Sequence, residues 1–377
     1  MREKEKNQSQ KELDEMYMAY ALELAKKGKG MTTPNPMVGA VIVKDGRIIG
    51  RGYHAKAGER HAEVVAIENA EEDVTGATLY VTLEPCSHYG KTPPCTELII
   101  ERDIKRVVVA VLDPNPLVAG RGAKRLRDSG ISVTVGVLEK EAQRLNEVFM
   151  KYIVTKRPFV TYKSAMSLDG KIATARGESQ WITCEASRQD AHKLRHDYTG
   201  IMVGIGTVLA DNPMLNCRIK GKKQPVRIVV DSHLRIPEDS KLVQTADKYP
   251  LVVATTSKGN KEKRKRLIDY GVQVWNMPLD EKGRVDLNAL MKSLGENEVD
   301  SVMIEGGGTL AEQALNKGIV DKVVVYIAPQ IIGGEGAKTP VEGGGICDLK
   351  EAWEIQEWSS ETIGTDLKIS GYIRKEK

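Results

Sequence analysis

The sequence has few aromatic residues, almost no net charge and no long apolar segment. Aromatic side chains make up 5% of the 377 residues, few for a protein that stacks nucleic-acid bases in a groove. Lys and Arg number 56 against 52 Asp and Glu, a formal net charge of +4, which argues against nucleic acid as the main partner. No apolar run is long enough for a transmembrane helix, so we expect no membrane partner.

Cysteine is also scarce. The five cysteines are an odd number in a long chain, which argues against a disulfide framework. The first twenty residues are too polar to contain the apolar core of a signal peptide. We therefore expect a cytoplasmic protein whose cysteines bind metal, take part in catalysis or pack in the core.

Length and patterning predict two α/β domains. A chain of 377 residues exceeds the size at which one hydrophobic core keeps growing. Strand-like apolar runs alternate with amphipathic helix-like segments, which is typical of α/β layers. The alternation breaks at Lys156-Arg157-Pro158, so we place one domain at 1–155 and a second at 156–377.

Local patterns predict the main elements. The first ten residues are expected to be disordered, followed by a helix that ends at Gly28. Segments 38–43 and 47–53 form a hairpin around Asp45-Gly46, and one helix over 139–154 closes the first domain. The second domain has predicted strands at 159–165, 200–203, 226–230, 251–254, 272–275, 301–304 and 322–327, then antiparallel strands within 353–372. The predicted buried face of the first helix contains Leu13, Met16, Tyr17, Tyr20 and Leu24.

One histidine and two cysteines have the composition of a catalytic zinc site. The segment RHAEVVAI (60–67) places His61 at a predicted helix start, and EPCSHYGKTPPC (84–95) follows the strand TLYVTL with Cys86 and Cys95. Three protein ligands leave the fourth tetrahedral position of zinc to water. Glu63, two residues beyond His61, is placed to move a proton between water and a leaving amine. His-x-Glu followed by Pro-Cys is the signature of zinc-dependent nucleobase deaminases.

Two other interpretations of these residues stay open at this point. A closed structural zinc site needs a fourth ligand, for which His88 is the nearby candidate. Alternatively, the histidine and the two thiols are packed without metal. The spacing of eight residues between Cys86 and Cys95 also departs from the two residues of the general signature.

Further motifs identify a family. TPNPMVGAVIV (33–43), GYH (52–54), GERHAE (58–63), the long cysteine spacing and SLDGKIA (167–173) together resemble the bifunctional deaminase/reductases of riboflavin biosynthesis along nearly the whole chain. The resemblance implies an α/β protein with an N-terminal cytidine-deaminase-like three-layer α/β/α domain and a C-terminal dihydrofolate-reductase-like domain. It implies hydrolytic removal of the 2-amino group of 2,5-diamino-6-(5-phosphoribosylamino)pyrimidin-4(3H)-one, then NADPH-dependent reduction of the ribosyl group to ribityl.

The resemblance also assigns residues in the first domain. It implies that His61, Cys86 and Cys95 hold one Zn²⁺ per chain and that Glu63 moves the proton. The positions that it assigns to the substrate pocket are Asn35, His54, His88 and Lys91. Family members commonly self-associate, so a homo-oligomer is expected.

The second domain contains two glycine-rich strand ends. GIGTVL (204–209) lacks the final small residue of a dinucleotide fingerprint. EGGGT (305–309) follows a predicted strand and begins a helix, whose N-terminus suits a phosphate. The resemblance assigns cofactor binding to Ala165, Trp181, Thr207, Asp211, Ser232, Gly307, Gly308 and Thr309. It assigns substrate binding to Lys163, Ser179, Arg195, Leu215, Arg218 and Glu305.

The sequence leaves the proton donor of the reduction open among Lys163, Asp211 and Glu305. Two arginines offer bidentate partners for the phosphate of the substrate. Ser232, just after the strand RIVVD, is a candidate to contact a 2′-phosphate, but one serine does not distinguish NADP from NAD.

Overall fold

The computed structural model describes residues 2–89, 93–115, 118–219 and 223–374, without the side chains of 2–7. The chain divides into two compact units, Met1–Thr155 and Lys156–Lys377. Each unit has its own sheet with helices packed on both faces. Within the described residues, no helix is both long enough and apolar enough to cross a membrane.

The first unit contains a five-stranded mixed sheet. Its strands are β1 (Gly39–Lys44), β2 (Arg47–Tyr53), β3 (Thr78–Leu83), β4 (Arg106–Val111) and β5 (Ser132–Val135), in the spatial order β2-β1-β3-β4-β5. Its helices are α1 (Arg2–Ala25), α2 (Ala62–Glu68), α3 (Cys95–Glu101), α4 (Arg121–Asp128), α5 (Glu139–Leu145) and α6 (Glu147–Thr155). Strands β3, β4 and β5 run parallel, whereas β1 is antiparallel to both neighbours.

Successive side chains of each strand point to opposite faces of this sheet, and a hydrophobic core lies on each face. Ala40 and Ile42 of β1 pack in one cluster with residues of α2, α3 and α4. Val41 and Val43 pack in the other with residues of α1 and α5. The unit is therefore a three-layer α/β/α sandwich.

The turn between β1 and β2 has the predicted hairpin geometry. Asp45 and Gly46 have φ of 48° and 74°, as expected for a tight hairpin.

Two predictions about the N-terminal helix are wrong. Helix α1 begins at Arg2, so it includes the residues expected to be disordered. Lys, Glu and Gln are good helix formers, which favours continuation of the helix into solvent. The buried face also differs, because Leu13, Met16 and Tyr20 are exposed. The residues that cover the sheet from this helix are Tyr17, Met18, Ala21, Leu22, Leu24 and Ala25.

The predicted single helix over 139–154 is two helices that meet at Asn146. This residue is buried, and its backbone leaves the helical geometry with φ of −108°. The side-chain amide donates to Met37 O at 2.9 Å, and its Oδ1 accepts from Met37 N at 2.8 Å. The break between α5 and α6 therefore places an amide where it satisfies both backbone groups of Met37.

The second unit contains a nine-stranded sheet. Its strands are β6 (Phe159–Ser167), β7 (Gly200–Gly204), β8 (Val226–Val230), β9 (Leu251–Thr255), β10 (Gln273–Asn276), β11 (Ser301–Glu305), β12 (Lys322–Ala328), β13 (Ile355–Ile363) and β14 (Asp366–Ile373). Its helices are α7 (Glu185–Asp197), α8 (Ile205–Asp211), α9 (Lys261–Asp269), α10 (Leu287–Glu296) and α11 (Gly308–Asn316). The spatial order is β10-β9-β8-β7-β11-β6-β12-β14-β13.

Seven neighbouring strands of this sheet, β10 through β12, run parallel, and β14 and β13 complete it as an antiparallel edge. Ligands of open α/β sheets bind beyond the carboxyl ends of such strands. The predicted strands match those in the structure within a few residues. Helix α8, which begins directly after β7, was not predicted.

Candidate active sites

The three predicted zinc ligands converge in the first unit. His61 is the N-cap residue of α2, Cys86 follows β3, and Cys95 begins α3. The His61 Nδ1 atom lies 3.2 Å from Cys95 Sγ and 3.6 Å from Cys86 Sγ. All three ligand atoms lie within 4.8 Å of one another. One nitrogen and two sulfurs at this separation fit a zinc ion with one open position.

Close packing of α2 on the hairpin places His61 at this point. A Cβ atom on Gly52 of β2 would lie 2.2 Å from Ala62 O and 2.4 Å from Ala66 N. Only glycine allows α2 to approach β2 so closely. The position of α2, and therefore of His61 and Glu63, depends on this missing side chain.

Hydrogen bonds between the two cysteines favour the thiolate form of Cys86. Cys86 Sγ accepts from Cys95 N at 3.3 Å. Hydrogen bonds from the Cys95 thiol and from His61 lower the pKa of the Cys86 thiol to about 4, against the effect of burial. A thiolate is the form that binds zinc, so Cys86 is ready to ligate at neutral pH.

Glu63 is buried in the first turn of α2, beside the cysteines. Burial, reinforced by the negative charge of Cys86, raises the pKa of Glu63 to about 7. A carboxyl group that titrates near neutral pH is suited to accept and return a proton.

Asn35 and His54 lie next to the same cluster. The His54 ring is 5.8 Å from the His61 ring, centroid to centroid, in an edge-on arrangement. His54 Nδ1 lies 3.0 Å from Arg60 O, and its Nε2 lies 3.2 Å from Asn35 Nδ2. Because burial lowers the pKa of His54, the ring is neutral, with a proton on Nδ1 and Nε2 as acceptor.

Two other predicted pocket residues are less defined. His88 is exposed and lies near the carboxyl group of Asp113. It is not part of the cluster of metal-binding atoms found among the described residues. Lys91 lies outside the described residues.

Sequence reasoning missed Glu84, the residue before Pro85 and Cys86. Its buried carboxylate accepts from three backbone N–H groups, those of Asp113 at 3.1 Å, Gly120 at 2.9 Å and Ala123 at 3.0 Å. These bonds join the end of β3 to the loop after β4 and to the N-terminus of α4. Glu84 therefore holds the backbone that presents Cys86. The sequence signal for Glu84 is its position, directly after the strand β3 and two residues before Cys86.

In the second unit, Lys163, Arg195 and Glu305 come together from β6, α7 and β11. Arg195 Nε and Nη2 donate to the two Glu305 oxygens at 2.7 and 2.6 Å. Burial raises the pKa of Glu305, but Arg195 and Lys163 outweigh it and hold the value at about 2. Burial lowers the pKa of Lys163, and Glu305 opposes that effect. Glu305 is therefore a carboxylate between two cations.

The predicted substrate residues Leu215 and Arg218 lie in the loop after α8. Arg195 Nη1 donates to Asn216 O at 3.3 Å, which holds this loop against α7. Leu215 is buried at φ of 51°, an uncommon conformation for leucine that concentrates at functional sites. The exposed Arg218 contributes a further positive charge close to His192, one turn before Arg195.

The glycine turn at the start of α11 has the geometry expected of a phosphate site. Gly306 and Gly307 have φ of 72° and 81°, values that favour glycine. A Cβ atom built on Gly307 would lie 3.3 Å from Thr207 Oγ1, so the start of α8 and this turn are adjacent. Thr309 Oγ1 lies 3.2 Å from Glu342 Oε2. Backbone N–H groups at a helix N-terminus fit the phosphates of a dinucleotide.

The remaining predicted positions lie in several elements of the second unit. Ser179 Oγ donates to Asp211 Oδ1 at 3.2 Å. Trp181 is exposed with the Arg188 guanidinium 4.7 Å from its ring centre, so it is not a core residue. Ala165 lies in β6, and Ser232 Oγ accepts from Val285 N at 3.0 Å.

Two family profiles match separate parts of the chain. Residues 11–111 match the cytidine and deoxycytidylate deaminase zinc-binding region. Residues 158–369 match the RibD C-terminal domain. The first contains the cluster of His61, Cys86 and Cys95, and the second contains the Arg195–Glu305 pair.

Relatives match the chain along almost its whole length. Riboflavin biosynthesis protein RibD of Actinobacillus pleuropneumoniae is 52% identical over 353 residues, which cover 94% of this chain and 93% of the relative. The RibD protein of Aquifex aeolicus is 49% identical over 360 residues, 95% of this chain and 98% of the relative.

Solved structures agree with the fold. Acinetobacter baumannii RibD, form 1, has a TM-score of 0.87 at 37% identity and covers 97% of this chain and 99% of its own. A Thermotoga maritima diaminohydroxyphosphoribosylaminopyrimidine deaminase/5-amino-6-(5-phosphoribosylamino)uracil reductase has a TM-score of 0.84 at 38% identity, covering 97% and 100%. The predicted fold class is confirmed, and small molecules are the partners that fit such an enzyme. The chain belongs to the RibD family and is a bifunctional enzyme of riboflavin biosynthesis, a zinc-dependent deaminase joined to an NADPH-dependent reductase.

Proposed function

We propose that residues 1–155 deaminate 2,5-diamino-6-(5-phosphoribosylamino)pyrimidin-4(3H)-one and that residues 156–377 reduce 5-amino-6-(5-phosphoribosylamino)uracil. The observation that carries the proposal is the convergence of His61, Cys86 and Cys95 beside the buried Glu63. A purely structural metal site would not need a carboxylate of raised pKa next to its ligands.

In the proposed deamination, His61, Cys86 and Cys95 hold zinc, which supplies Lewis acidity when bound. Glu63 accepts a proton from the attacking water and returns it to the departing amine, so that ammonia leaves and a carbonyl forms. The side chains of Asn35, His54, His88 and Lys91 bind the substrate. Because Asn35 and His54 are already hydrogen-bonded to each other, they present one fixed polar edge to the pyrimidine.

In the proposed reduction, the bound NADPH supplies the hydride. The C1′–O4′ bond of the sugar breaks, its electron pair stays on oxygen, and hydride adds to C1′. The oxygen then needs a proton. Glu305 is held ionised by Arg195, and Asp211 is exposed and bonded to Ser179. We therefore assign proton donation to Lys163, whose lowered pKa eases release of the proton.

The other residues of the second unit bind and orient. Arg195 and Arg218 bind the substrate phosphate, and Ser179 and Leu215 contact the substrate beside it. The turn of Gly307, Gly308 and Thr309 receives the phosphates of the cofactor, supported by the adjacent Thr207. The remaining cofactor positions in the proposal are Ala165, Trp181, Asp211 and Ser232.

The change Glu63→Gln tests the assignment of the two activities. It keeps the size of the side chain but removes the proton acceptor, so ammonia release should fall by about 10²- to 10⁴-fold. NADPH consumption on the already deaminated substrate should stay at the wild-type rate. Ammonia and NADPH are followed separately in the full chain, and Glu68→Gln, an exposed change on the same helix, is the matched control. Equal loss of both activities would contradict two separate sites.

We further propose that the enzyme is cytoplasmic and forms a homo-oligomer. All five cysteines are free, which fits a reducing compartment. Light scattering of the purified chain measures its mass, and a value of one chain, 41.5 kDa, would contradict self-association.

A further inference from the structure

His192 has a buried ring nitrogen that the proposed reduction does not use. The residue lies on α7 three positions before Arg195, so the two side chains leave the same face of the helix. Its Nδ1 atom is buried and forms no hydrogen bond with any residue in the described part of the chain. Buried polar side-chain atoms are nearly always hydrogen-bonded. Among the described residues this nitrogen has no partner, and a bound ligand is the partner that we consider for it.

A second buried atom in this region also lacks a partner among the described residues, the Oδ1 of Asn216. The loop that contains it lies against α7, because Arg195 Nη1 donates to Asn216 O and Cys217 Sγ lies 3.6 Å from His192 O. The side chain of Gln224 fixes the loop through hydrogen bonds of 3.0 and 2.9 Å with the backbone of Cys217. The two unpaired polar atoms therefore belong to residues on either side of Arg195, on a helix and a loop that hydrogen bonds hold together.

The charges around His192 suit a phosphate. The charged groups that face it are Arg195 on α7, Arg218 in the loop after α8, Glu305 at the end of β11 and Lys163 on β6. Three cations and one carboxylate leave an excess of two positive charges. Burial, followed by repulsion from Arg195 and Arg218, lowers the pKa of His192 to about 4, so the free enzyme holds a neutral ring at pH 7.

We propose that His192 is a further substrate-binding residue of the reductase site and that its Nδ1 donates a hydrogen bond to the 5-phosphate of the sugar. The inference rests on the proposed placement of that phosphate at Arg195 and Arg218. A dianionic phosphate cancels the repulsion that keeps the imidazole neutral. His192 therefore takes up a proton as the phosphate binds, and the charged ring strengthens the hydrogen bond.

Calorimetric titration of ribose 5-phosphate into the full chain tests this inference, in buffers of different ionisation enthalpy between pH 6 and pH 8. His192→Leu removes both the donor and the titrating group. The phosphate monoester itself has a second pKa of about 6, so the protons exchanged on binding are compared between wild type and variant. Wild type should take up more protons than His192→Leu, with a larger difference at pH 6 than at pH 8, and the variant should bind about 10- to 100-fold more weakly, the effect of losing a hydrogen bond to a charged group.

His192→Asn separates the two effects. Its amide N–H can lie where Nδ1 lies, but it does not titrate. Binding at pH 8 should stay within about threefold of wild type, without the additional proton uptake. Lys193→Gln, an exposed change on the same helix, is the matched control and should behave as wild type. Thermal unfolding of each variant checks that the fold is kept, and the Asn variant carries the test if the Leu variant unfolds.

Equal proton uptake in wild type and His192→Asn, or equal affinity in wild type and a folded His192→Leu, would overturn the inference. Arg218→Ala separates this failure from failure of the proposed site. If the phosphate binds at the arginines, Arg218→Ala weakens ribose 5-phosphate binding whatever His192 does. Wild-type affinity in Arg218→Ala would show that the proposed phosphate position itself is wrong.

Discussion

The predicted metal-binding residues of the first unit and Glu63 come from 61–95, a short part of the chain, whereas the predicted substrate and cofactor residues of the second unit are spread from Lys163 to Thr309. In the first site, His61 Nδ1 lies 3.2 Å from Cys95 Sγ and 3.6 Å from Cys86 Sγ, and Cys86 Sγ accepts a hydrogen bond from Cys95 N. In the second, Arg195 and Lys163 surround the carboxylate of Glu305. A metal site needs a few ligands of defined type and geometry. A phosphate site needs an excess of positive charge, which lysines and arginines from many different positions can supply.

The largest effect is expected from removing the proton donor of the second site. Lys163→Met keeps an unbranched side chain without the amine and should lower the rate of NADPH consumption by about 10²- to 10³-fold, the usual contribution of a general acid. Ammonia release should not change, because the change lies outside the metal-binding unit. Stopped-flow absorbance of NADPH measures the first activity, and Lys292→Met, an exposed change on α10, is the control. Wild-type NADPH consumption in Lys163→Met would remove this assignment.

A smaller effect is expected from Glu84→Gln in the first unit. The carboxylate accepts three backbone N–H groups, and an amide oxygen cannot replace both of its oxygens. The first unit should lose about 1–3 kcal/mol of unfolding free energy, measured by urea unfolding of the full chain. The change Glu97→Gln at a partly exposed position, which weakens a surface ion pair with Arg125, should change stability much less. Equal effects of the two changes would mean that Glu84 does not hold the Cys86 backbone.

The smallest effect is expected in the acid range. Arg195 and Lys163 hold the pKa of Glu305 at about 2, below the usual range of a glutamate carboxyl group. A carboxylate with a lowered folded-state pKa contributes stability above the unfolded pKa and loses it as pH falls through the folded value. The difference in unfolding temperature between wild type and Glu305→Gln should therefore be constant from pH 7 to about pH 5 and shrink towards pH 2. A difference independent of pH would show that the ion pair contributes nothing through ionisation.

More residues of the first site than of the second could be recognised from local sequence patterns without the family resemblance. The predicted zinc ligands and Glu63 lie at the ends of predicted elements, so a local pattern was enough to indicate that they lie together. The role of Glu84 was missed because its position before Cys86 does not show that its partners are backbone N–H groups at 113, 120 and 123. His192 was missed because the absence of a partner becomes visible only when α7 and the 215–218 loop are placed side by side.

Prediction of the fold from sequence also failed where distant contacts decide the structure. Periodicity predicted nearly every strand, because burial on both faces gives continuous apolar runs. It did not predict the break at Asn146, which depends on Met37, more than a hundred positions away along the chain. It also chose the wrong face of α1, since the residues at 13, 16 and 20 are apolar but exposed. Tertiary contacts decide both features.

Removal of zinc from the full chain, with both activities measured before and after zinc is returned, tests the central claim most directly. The claim is that a metal held by His61, Cys86 and Cys95 serves the deaminase alone. Chelated protein should release no ammonia, regain release when zinc is added, and consume NADPH within about twofold of the untreated rate throughout. Metal-free protein that still releases ammonia at the full rate, or that loses NADPH consumption in parallel with ammonia release, would contradict it.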